Sequence, residues 1–260
     1  MLAVDFGFGP VEAEFWRLVF VMTRIGAAML AAPLFGMGGV PAQVRVIAAG
    51  AVGVLVCAWT DVATPANLLS LPGMVSVGGE VLVGLALGFV LQVAFAAPTL
   101  AAELIGGAMG MSMATAVDPN SGTQSPALGQ YFTVTTTLVF LAMGGHLQWI
   151  ALVVRSYAAF PPGHTWLGPD RFVEIAAFAG TMFATGVAIA LPVALILLIV
   201  QAVTGVLSRS APALNLFALG LPAGVLAGIA ALLVTAPVLS DQAGELTGVA
   251  LQAAERVLAR

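Results

Sequence analysis

The chain has 260 residues, of which 60% are apolar and only 8% are charged, whereas charged residues make up about a quarter of a soluble domain. This composition excludes a soluble globular protein and predicts an integral membrane protein. The net charge is −4, all eight basic residues are arginines and Cys57 is the single cysteine. A basic stripe for nucleic acid and a disulfide within the chain are therefore also excluded.

Six apolar runs have the length of a membrane span, which needs about 20 mostly apolar residues. They cover residues 11–34, 43–60, 74–100, 128–154, 172–204 and 214–239, and six is an upper limit. The predicted fold is all-α: a polytopic membrane protein of about six long, broken helices arranged as helical hairpins. We expect one membrane domain over residues 1–240 and an amphipathic C-terminal segment over residues 241–260.

Charged residues fall within or beside these apolar runs. Arg17 and Arg24 lie seven residues apart in the first run, near one helical face. An arginine inside a span costs about 2.5 to 3.5 kcal/mol unless it finds a partner, so we expect this face to contact protein; alternatively, Arg17 extends to the membrane interface. Glu80 and Glu103 favour helix packing against other subunits, and the alternative for either is a proton-relay carboxylate.

The central segment, residues 103–131, interrupts the apolar pattern with small and polar residues and methionines. Its glycines weaken a helix by about 1 kcal/mol each relative to alanine, and Asp118-Pro119-Asn120 is a turn signal. We expect the chain to leave regular helix here, which at membrane depth is possible only inside protein or around a cavity. Its methionines either seal an irregular hole with flexible side chains or are ordinary helix filler.

A second polar stretch, from Arg209 to Pro222, joins the last two apolar runs. One charge and two prolines break the helical pattern there. The arginines do not decide the orientation in the membrane, because loops on both sides of a six-span arrangement carry them. The sequence therefore leaves the topology open.

Two blocks of sequence carry a family resemblance. The more specific block is the pattern Arg-x-x-Pro-x-Leu-Asn-x-Phe-x-Leu-Gly-x-Pro, which begins at Arg209. The other begins at Glu103 and continues through Asp118-Pro119 and Gly144-Gly145-His146 to Pro161-Pro162-Gly163. With these blocks, nearly the whole chain resembles the FliR family of type III export proteins, which also includes the export-gate subunit of virulence-type injectisomes.

The resemblance implies a non-catalytic subunit of the flagellar export apparatus in the bacterial inner membrane and flagellar basal body, with no cofactor. It implies a gated helical channel for unfolded flagellar proteins, formed with FliP-like and FliQ-like subunits and joined by FlhB-like and FlhA-like components. In that family the loop corresponding to residues 106–122 plugs the closed pore. The predicted plug residues are Gly106, Gly107, Met109, Gly110, Met111, Met113, Asp118 and Pro119. The predicted contacts between helices or subunits are Arg24, Glu80, Glu103, Arg209, Pro212, Asn215, Phe217 and Pro222.

Two other function classes compete with this interpretation. A rhomboid-like intramembrane serine protease would use Ser112 and His146 as nucleophile and base, but Met113 stands where such enzymes have glycine and His146 lies in the fourth run instead of the sixth. A small-molecule transporter is suggested by prolines within the apolar runs. The chain shows no internal repeat, which argues against the transporter.

Overall fold

The fold consists of α-helices. The computed structural model describes residues 10–36, 39–60, 62, 64–65, 68, 70–111, 126–162, 168–210 and 216–259. The helices of these residues are α1 (Pro10–Ala31), α2 (Pro33–Gly36), α3 (Ala42–Trp59), α4 (Leu71–Ala108), α5 (Pro126–Ala142), α6 (Gly145–Ala159), α7 (Pro169–Ser210) and α8 (Leu216–Leu258). The described part of the chain contains no β-strand, so the predicted all-α class is confirmed.

In the part of the chain that the structure describes, four helices are long and apolar enough to cross a membrane: α3, α4, α7 and α8 from Gly220 onward. A fifth span is obtained when α5 and α6 are counted as one bent span, interrupted at Met143 and Gly144. The first apolar run does not qualify, because α1 carries Glu12 and Glu14 in addition to its two arginines. The prediction of a polytopic membrane protein is confirmed, with four or five spans in the described residues instead of the upper limit of six.

Three of the helices are far longer than a bilayer requires. α4, α7 and α8 contain 38, 42 and 43 residues, which at 1.5 Å per residue corresponds to about 57 to 65 Å. The hydrocarbon layer is about 30 Å thick, so parts of these helices extend beyond it or are tilted. Each also contains internal proline, which removes one backbone hydrogen bond at that point.

The C-terminal segment is a continuation of α8. The last apolar run ends at residue 239, and α8 continues through Pro237 and past this run to Leu258. Its last turns bury a face that includes Ala250 and Val257. The last carbonyl oxygens of a helix accept no hydrogen bond from the helix itself. At the end of α8, Arg171 of α7 donates hydrogen bonds to two such oxygens, those of Val257 and Ala259.

The contacts of the chain divide it into two compact units. The first unit comprises Met1–Ala94, Gly144–Ala179 and Gly248–Arg260, and the second comprises Phe95–Met143 and Gly180–Thr247. In the first unit, α1, the N-terminal part of α4 and α6 contribute the most deeply buried side chains, among them Phe20, Leu87 and Trp149.

The second unit has its own apolar core. The rings of Phe95 and Phe140 meet edge to face, with their centroids 5.5 Å apart. Gly186 of α7 lies so close to α4 that an added Cβ would be 2.7 Å from the carbonyl oxygen of Ala97. Such backbone proximity at a small residue is typical of helix packing in membranes.

Candidate functional site

A buried ion pair joins α1 to α4 in the first unit. Arg24 Nε donates to Glu80 Oε2 and Arg24 Nη2 donates to Glu80 Oε1, each over 2.8 Å. Both side chains are 0% exposed. This two-pronged geometry matches the planar guanidinium fork to the two carboxylate oxygens and is the strongest form of such a pair.

The remaining hydrogen-bonding capacity of Arg24 is directed at α6 and the residue that follows it. Arg24 Nη1 donates to Ser156 Oγ over 3.0 Å and Arg24 Nη2 donates to the carbonyl oxygen of Phe160 over 2.8 Å. The guanidinium carbon lies 4.2 Å from the centroid of the Tyr157 ring, within the range of a cation–π contact. A buried charge is tolerated when it is paired and its other donors are satisfied; Arg24 is paired with Glu80, and each of its three nitrogens donates at least one hydrogen bond.

Tyr157 and Ser156 fix the surroundings of the pair. Tyr157 Oη donates to the carbonyl oxygen of Val21 in α1 over 2.7 Å. Ser156 Oγ donates in turn to the carbonyl oxygen of Val153 over 2.6 Å, so its lone pairs face Arg24. We call Arg24, Glu80, Ser156 and Tyr157 the ion-pair cluster, and it holds three helices together.

Two glycines allow α1 and α4 to approach closely enough for this pair. A Cβ on Gly84 would lie 2.9 Å from the Cβ of Ala27, and one on Gly88 would lie 2.6 Å from the Cβ of Ala31. Glycines four residues apart lie on one helical face and let two backbones meet. The Gly-x-x-x-Gly spacing is visible in the sequence but was not among the features predicted to matter.

A second candidate region lies at the end of α4, where the central segment begins. The helix continues through Gly106 and Gly107 and ends at Ala108. Gly110 then takes φ 83°, a conformation that favours glycine. The N–H of Gly110 donates to the carbonyl of Gly107 and that of Met111 to the carbonyl of Gly106, each over 3.0 Å, which together form a Schellman motif.

Side chains of α7 and α8 complete this helix end. Gln201 Nε2 of α7 donates to the carbonyl oxygen of Ala108 over 2.6 Å. Met109 is 3% exposed and lies against Gly224 and Gly228 of α8, where an added Cβ on Gly228 would be 2.6 Å from Met109 Cγ. We call Gly224 and Gly228 the glycine notch. Neither Gln201 nor this notch was predicted from the sequence, although Gly224-x-x-x-Gly228 repeats the spacing found in α4.

The other predicted site residues are distributed along the long helices. Glu103 is exposed on α4, Arg209 is exposed in the last turn of α7, and Pro222 is exposed within α8. Arg209 is favourably placed there, because a cation complements the negative end of the helix dipole. Phe217 belongs to the first turn of α8.

Several predicted positions lie outside the described residues. They are Met113, Asp118 and Pro119 of the central segment and Pro212 and Asn215 of the link, together with Ser112 of the protease hypothesis. His146 lies in the first turn of α6 and is half-buried. Among the residues that the structure does describe, no three histidine, cysteine or acidic side chains are grouped to hold a metal ion.

A family model and the individual relatives of this chain identify the same family. The family model for bacterial export proteins, family 1, matches residues 15–249. A flagellar biosynthetic protein FliR from Escherichia coli K12 is 32% identical over 229 residues, which is 87% of this chain and 85% of that protein. The protein of that name from Pectobacterium carotovorum is 31% identical, covering 91% of this chain and 88% of its own length. The one from Bacillus subtilis 168 is 32% identical, covering 80% and 81%.

Proposed function

The chain belongs to the bacterial export proteins, family 1, and from this premise we propose that it is a non-catalytic, gate-forming subunit of the flagellar type III export apparatus. The family match over residues 15–249 is the main support for the proposal, because this range includes most of α1 and α8, all of the other helices and both candidate regions described above. The relatives are named for flagellar biosynthesis. In this proposal the chain resides in the inner membrane, at the flagellar basal body.

The proposed partners are membrane subunits of the FliP and FliQ kind, with FlhB-like and FlhA-like components nearby. The apolar surface of the long helices supports such an assembly. In the most apolar stretch of α4, 61% of the residues are buried, compared with 28% in α7 and 17% in α8. A helix that is apolar all round needs lipid or protein on its exposed side, so α7 and α8 have apolar area available for other subunits as well as for lipid.

The proposed gate is the central segment from residue 106, which begins in the last turn of α4. The Schellman motif turns the chain out of the helix at Gly110, and non-helical backbone at membrane depth must be enclosed by protein or line a cavity. A segment that starts from an anchored helix end can occupy a pore without leaving its own subunit. We therefore assign residues 106–122 to closing the channel in its resting state.

The first test is gentle detergent extraction of the tagged chain from its own cells, followed by native mass measurement and identification of the bound subunits. One copy of this chain with several copies of FliP-like and FliQ-like helical subunits is the expected result. Injectisome subunits in their place would assign the chain to that branch of the family. A chain that is stable without other subunits and has a proteolytic or transport activity of its own would refute the proposal. Ser112→Ala and His146→Ala would then be the next variants to assay for proteolysis.

The gate itself is tested by deletion of residues 106–122. We expect the complex to assemble with normal yield and the cells to lose their potassium gradient faster than cells with the complete chain. An ion-tight deletion strain would contradict the gate assignment.

Arg209 offers a separate test of assembly, because it is exposed at the end of α7. Arg209→Glu should reduce the yield of the complex, since it places an anion at the negative end of a helix and at a proposed polar contact. Arg155→Glu is the matched control, because Arg155 is also exposed but lies in α6. Equal yields for both variants would contradict a contact at Arg209.

A further inference from the structure

The first unit is built from three stretches of sequence, and the last of them is the end of α8. We call residues 248–259 the C-terminal strap. One side of this helix end is buried: Ala250, Ala254 and Val257 are each 2% exposed. The other side carries polar residues such as Gln252, which is exposed. The strap therefore has an apolar face that packs within the unit and a polar face that does not.

One side chain of α7 holds the end of the strap. Arg171 donates hydrogen bonds to the carbonyl oxygens of Val257 and Ala259. The planar guanidinium offers several donors in a fixed arrangement, so a single side chain can serve two carbonyls of one helix end. The guanidinium carbon also lies 4.7 Å from the centroid of the Phe160 ring, in the range of a cation–π contact. Arg171 thus joins the strap to the residue that follows α6.

Phe160 connects this contact to the ion-pair cluster. Its ring lies beside Arg171, and its carbonyl oxygen accepts a hydrogen bond from Arg24 over 2.8 Å. Without the strap, Arg171 would lose both of its carbonyl acceptors, and the surface that the apolar face of the strap covers would be left open. The strap therefore completes a part of the unit whose other members lie early in the sequence.

The order of synthesis gives this arrangement a consequence. A chain is made from its N-terminus, and its earlier parts fold first. Residues 1–94 and 144–179 of the first unit are therefore made before residues 248–259. The unit cannot close until the strap has been synthesised and has bound in its place.

We propose that the C-terminal strap controls assembly: the chain joins the other subunits of the complex once the strap is bound to the first unit, and Arg171 is the residue that positions it. This proposal rests on the proposed role of the chain as a subunit of the export apparatus. It adds a condition to that role, because a chain with an open strap stays in the membrane without entering the complex.

The position of the strap is measured first, by the rate at which a water-soluble maleimide labels single cysteines in the full chain in its own membranes. In a Cys57→Ala chain, Ala254→Cys places a thiol on the buried face of the strap and Gln252→Cys places one on the exposed face. We expect slow labelling at position 254 and fast labelling at position 252. Equal rates at the two positions would overturn the proposal.

Arg171→Gln is then added to the chain with the cysteine at position 254. The neutral amide cannot replace the two charge-assisted hydrogen bonds, so the labelling rate should rise roughly tenfold, the factor that corresponds to about 1.4 kcal/mol in the opening of the strap. Arg256→Gln, the same change at an exposed position of the strap, is the matched control and should leave the rate unchanged. An unchanged rate in Arg171→Gln would refute its positioning role.

Assembly is measured by comparing the amount of chain in the membrane with the amount that is extracted together with other subunits. Arg171→Gln should leave the first amount nearly unchanged and lower the second, since only the population with a bound strap is competent to assemble. Removal of residues 248–260 should abolish the second amount. A parallel fall of both amounts in Arg171→Gln would mean that the strap only stabilises the fold, and would overturn the proposal.

Two outcomes separate this proposal from the proposed function. When the unaltered chain is extracted without any other subunit, the proposed function fails. When the unaltered chain assembles and Arg171→Gln assembles equally well with an open strap, the function stands and control by the strap is refuted. Arg171→Gln keeps the complete length, so it decides the question even where the shortened chain is degraded.

Discussion

The two candidate regions hold helices together by opposite means. In the ion-pair cluster, Arg24 is bound by directional hydrogen bonds to Glu80, Ser156 and the Phe160 carbonyl, all within 3.0 Å. At the end of α4, the apolar side chain of Met109 lies against Gly228 of the glycine notch. A buried charge whose partner moves away destabilises the fold by several kcal/mol. An apolar contact instead weakens gradually as the two groups separate.

This difference assigns the two regions to different tasks. A fully satisfied buried pair resists any relative movement of α1, α4 and α6, so it suits a framework that stays fixed. A flexible side chain in a notch can be displaced at modest cost, so it suits the start of the proposed gate. Variants of the cluster should therefore change stability first, and variants near Met109 should change ion leak first.

The largest effect is expected for Glu80→Gln, which leaves the Arg24 charge buried with a neutral partner. We expect a loss of about 3 to 5 kcal/mol, the range for breaking a buried pair. It should appear as a lower thermal midpoint of the extracted complex and a lower yield. Glu174→Gln, at an exposed position of α7, is the control and should behave like the unaltered chain. Equal stability of the two variants would contradict the role of the pair.

A double variant refines this test. Arg24→Met combined with Glu80→Met removes both charges and should recover much of the stability that Glu80→Gln loses, because apolar residues of similar volume replace such pairs with little loss. If the double variant is stable but exports poorly, the cluster has a role beyond holding the helices. If it is stable and exports normally, the cluster is a framework only.

The next effect in size is expected for Gly84→Ala, which tests the close approach behind the ion pair. The added methyl would lie closest to the carbonyl oxygen of Arg24, and 2.9 Å from Ala27 Cβ. Overpacking of this kind costs about 1 to 3 kcal/mol. Gly78→Ala, on the same helix with open space at its Cβ position, should instead be slightly stabilising, since alanine favours helix more than glycine. Effects of the same sign for both variants would contradict close packing at Gly84.

A smaller effect is expected for Tyr157→Phe, which keeps the ring beside Arg24 but removes the hydroxyl that donates to Val21. The loss should be about 1 kcal/mol, as for other buried hydrogen bonds, and the ion leak should stay unchanged. Tyr131→Phe is the control, because that ring is 49% exposed. An increased potassium leak in Tyr157→Phe would contradict the assignment of stability to the ion-pair cluster and of ion leak to the end of α4.

The fold class was predictable because it depends on properties that are local in sequence. A composition with 8% charged residues and apolar runs of about 20 residues are sufficient to predict spanning helices. The residues at which the helices end were harder to predict from the sequence. Gly106 and Gly107 weaken a helix by about 1 kcal/mol each, yet both stay helical, since packing and the hydrogen bonds at the end of α4 outweigh that preference.

The candidate sites were predictable only in part. That Arg24 needs a partner follows from the cost of an isolated charge in a membrane, but its partner Glu80 lies 56 residues away and is chosen by the packing of α1 on α4. The Gly-x-x-x-Gly spacings in α4 and α8 can be recognised in the sequence as helix-packing patterns. That Met109 occupies one of them depends on how the chain folds back, which the spacing does not encode.

The smallest effect on stability is expected for Gln201→Leu, and it tests the comparison most sharply. Gln201 is exposed, and its amide donates to the Ala108 carbonyl over 2.6 Å, so water can replace this bond and the loss should be only about 0.5 kcal/mol. The bond nevertheless fixes the turn from which Met109 enters the notch. We therefore expect a thermal midpoint close to that of the unaltered complex but a potassium leak raised about twofold, the factor that corresponds to this energy.

Gln92→Leu, the same change at an exposed position of α4, should alter neither the thermal midpoint nor the potassium leak. A leak that follows stability across all these variants would mean that the end of α4 is one more part of the framework and that the moving part lies elsewhere.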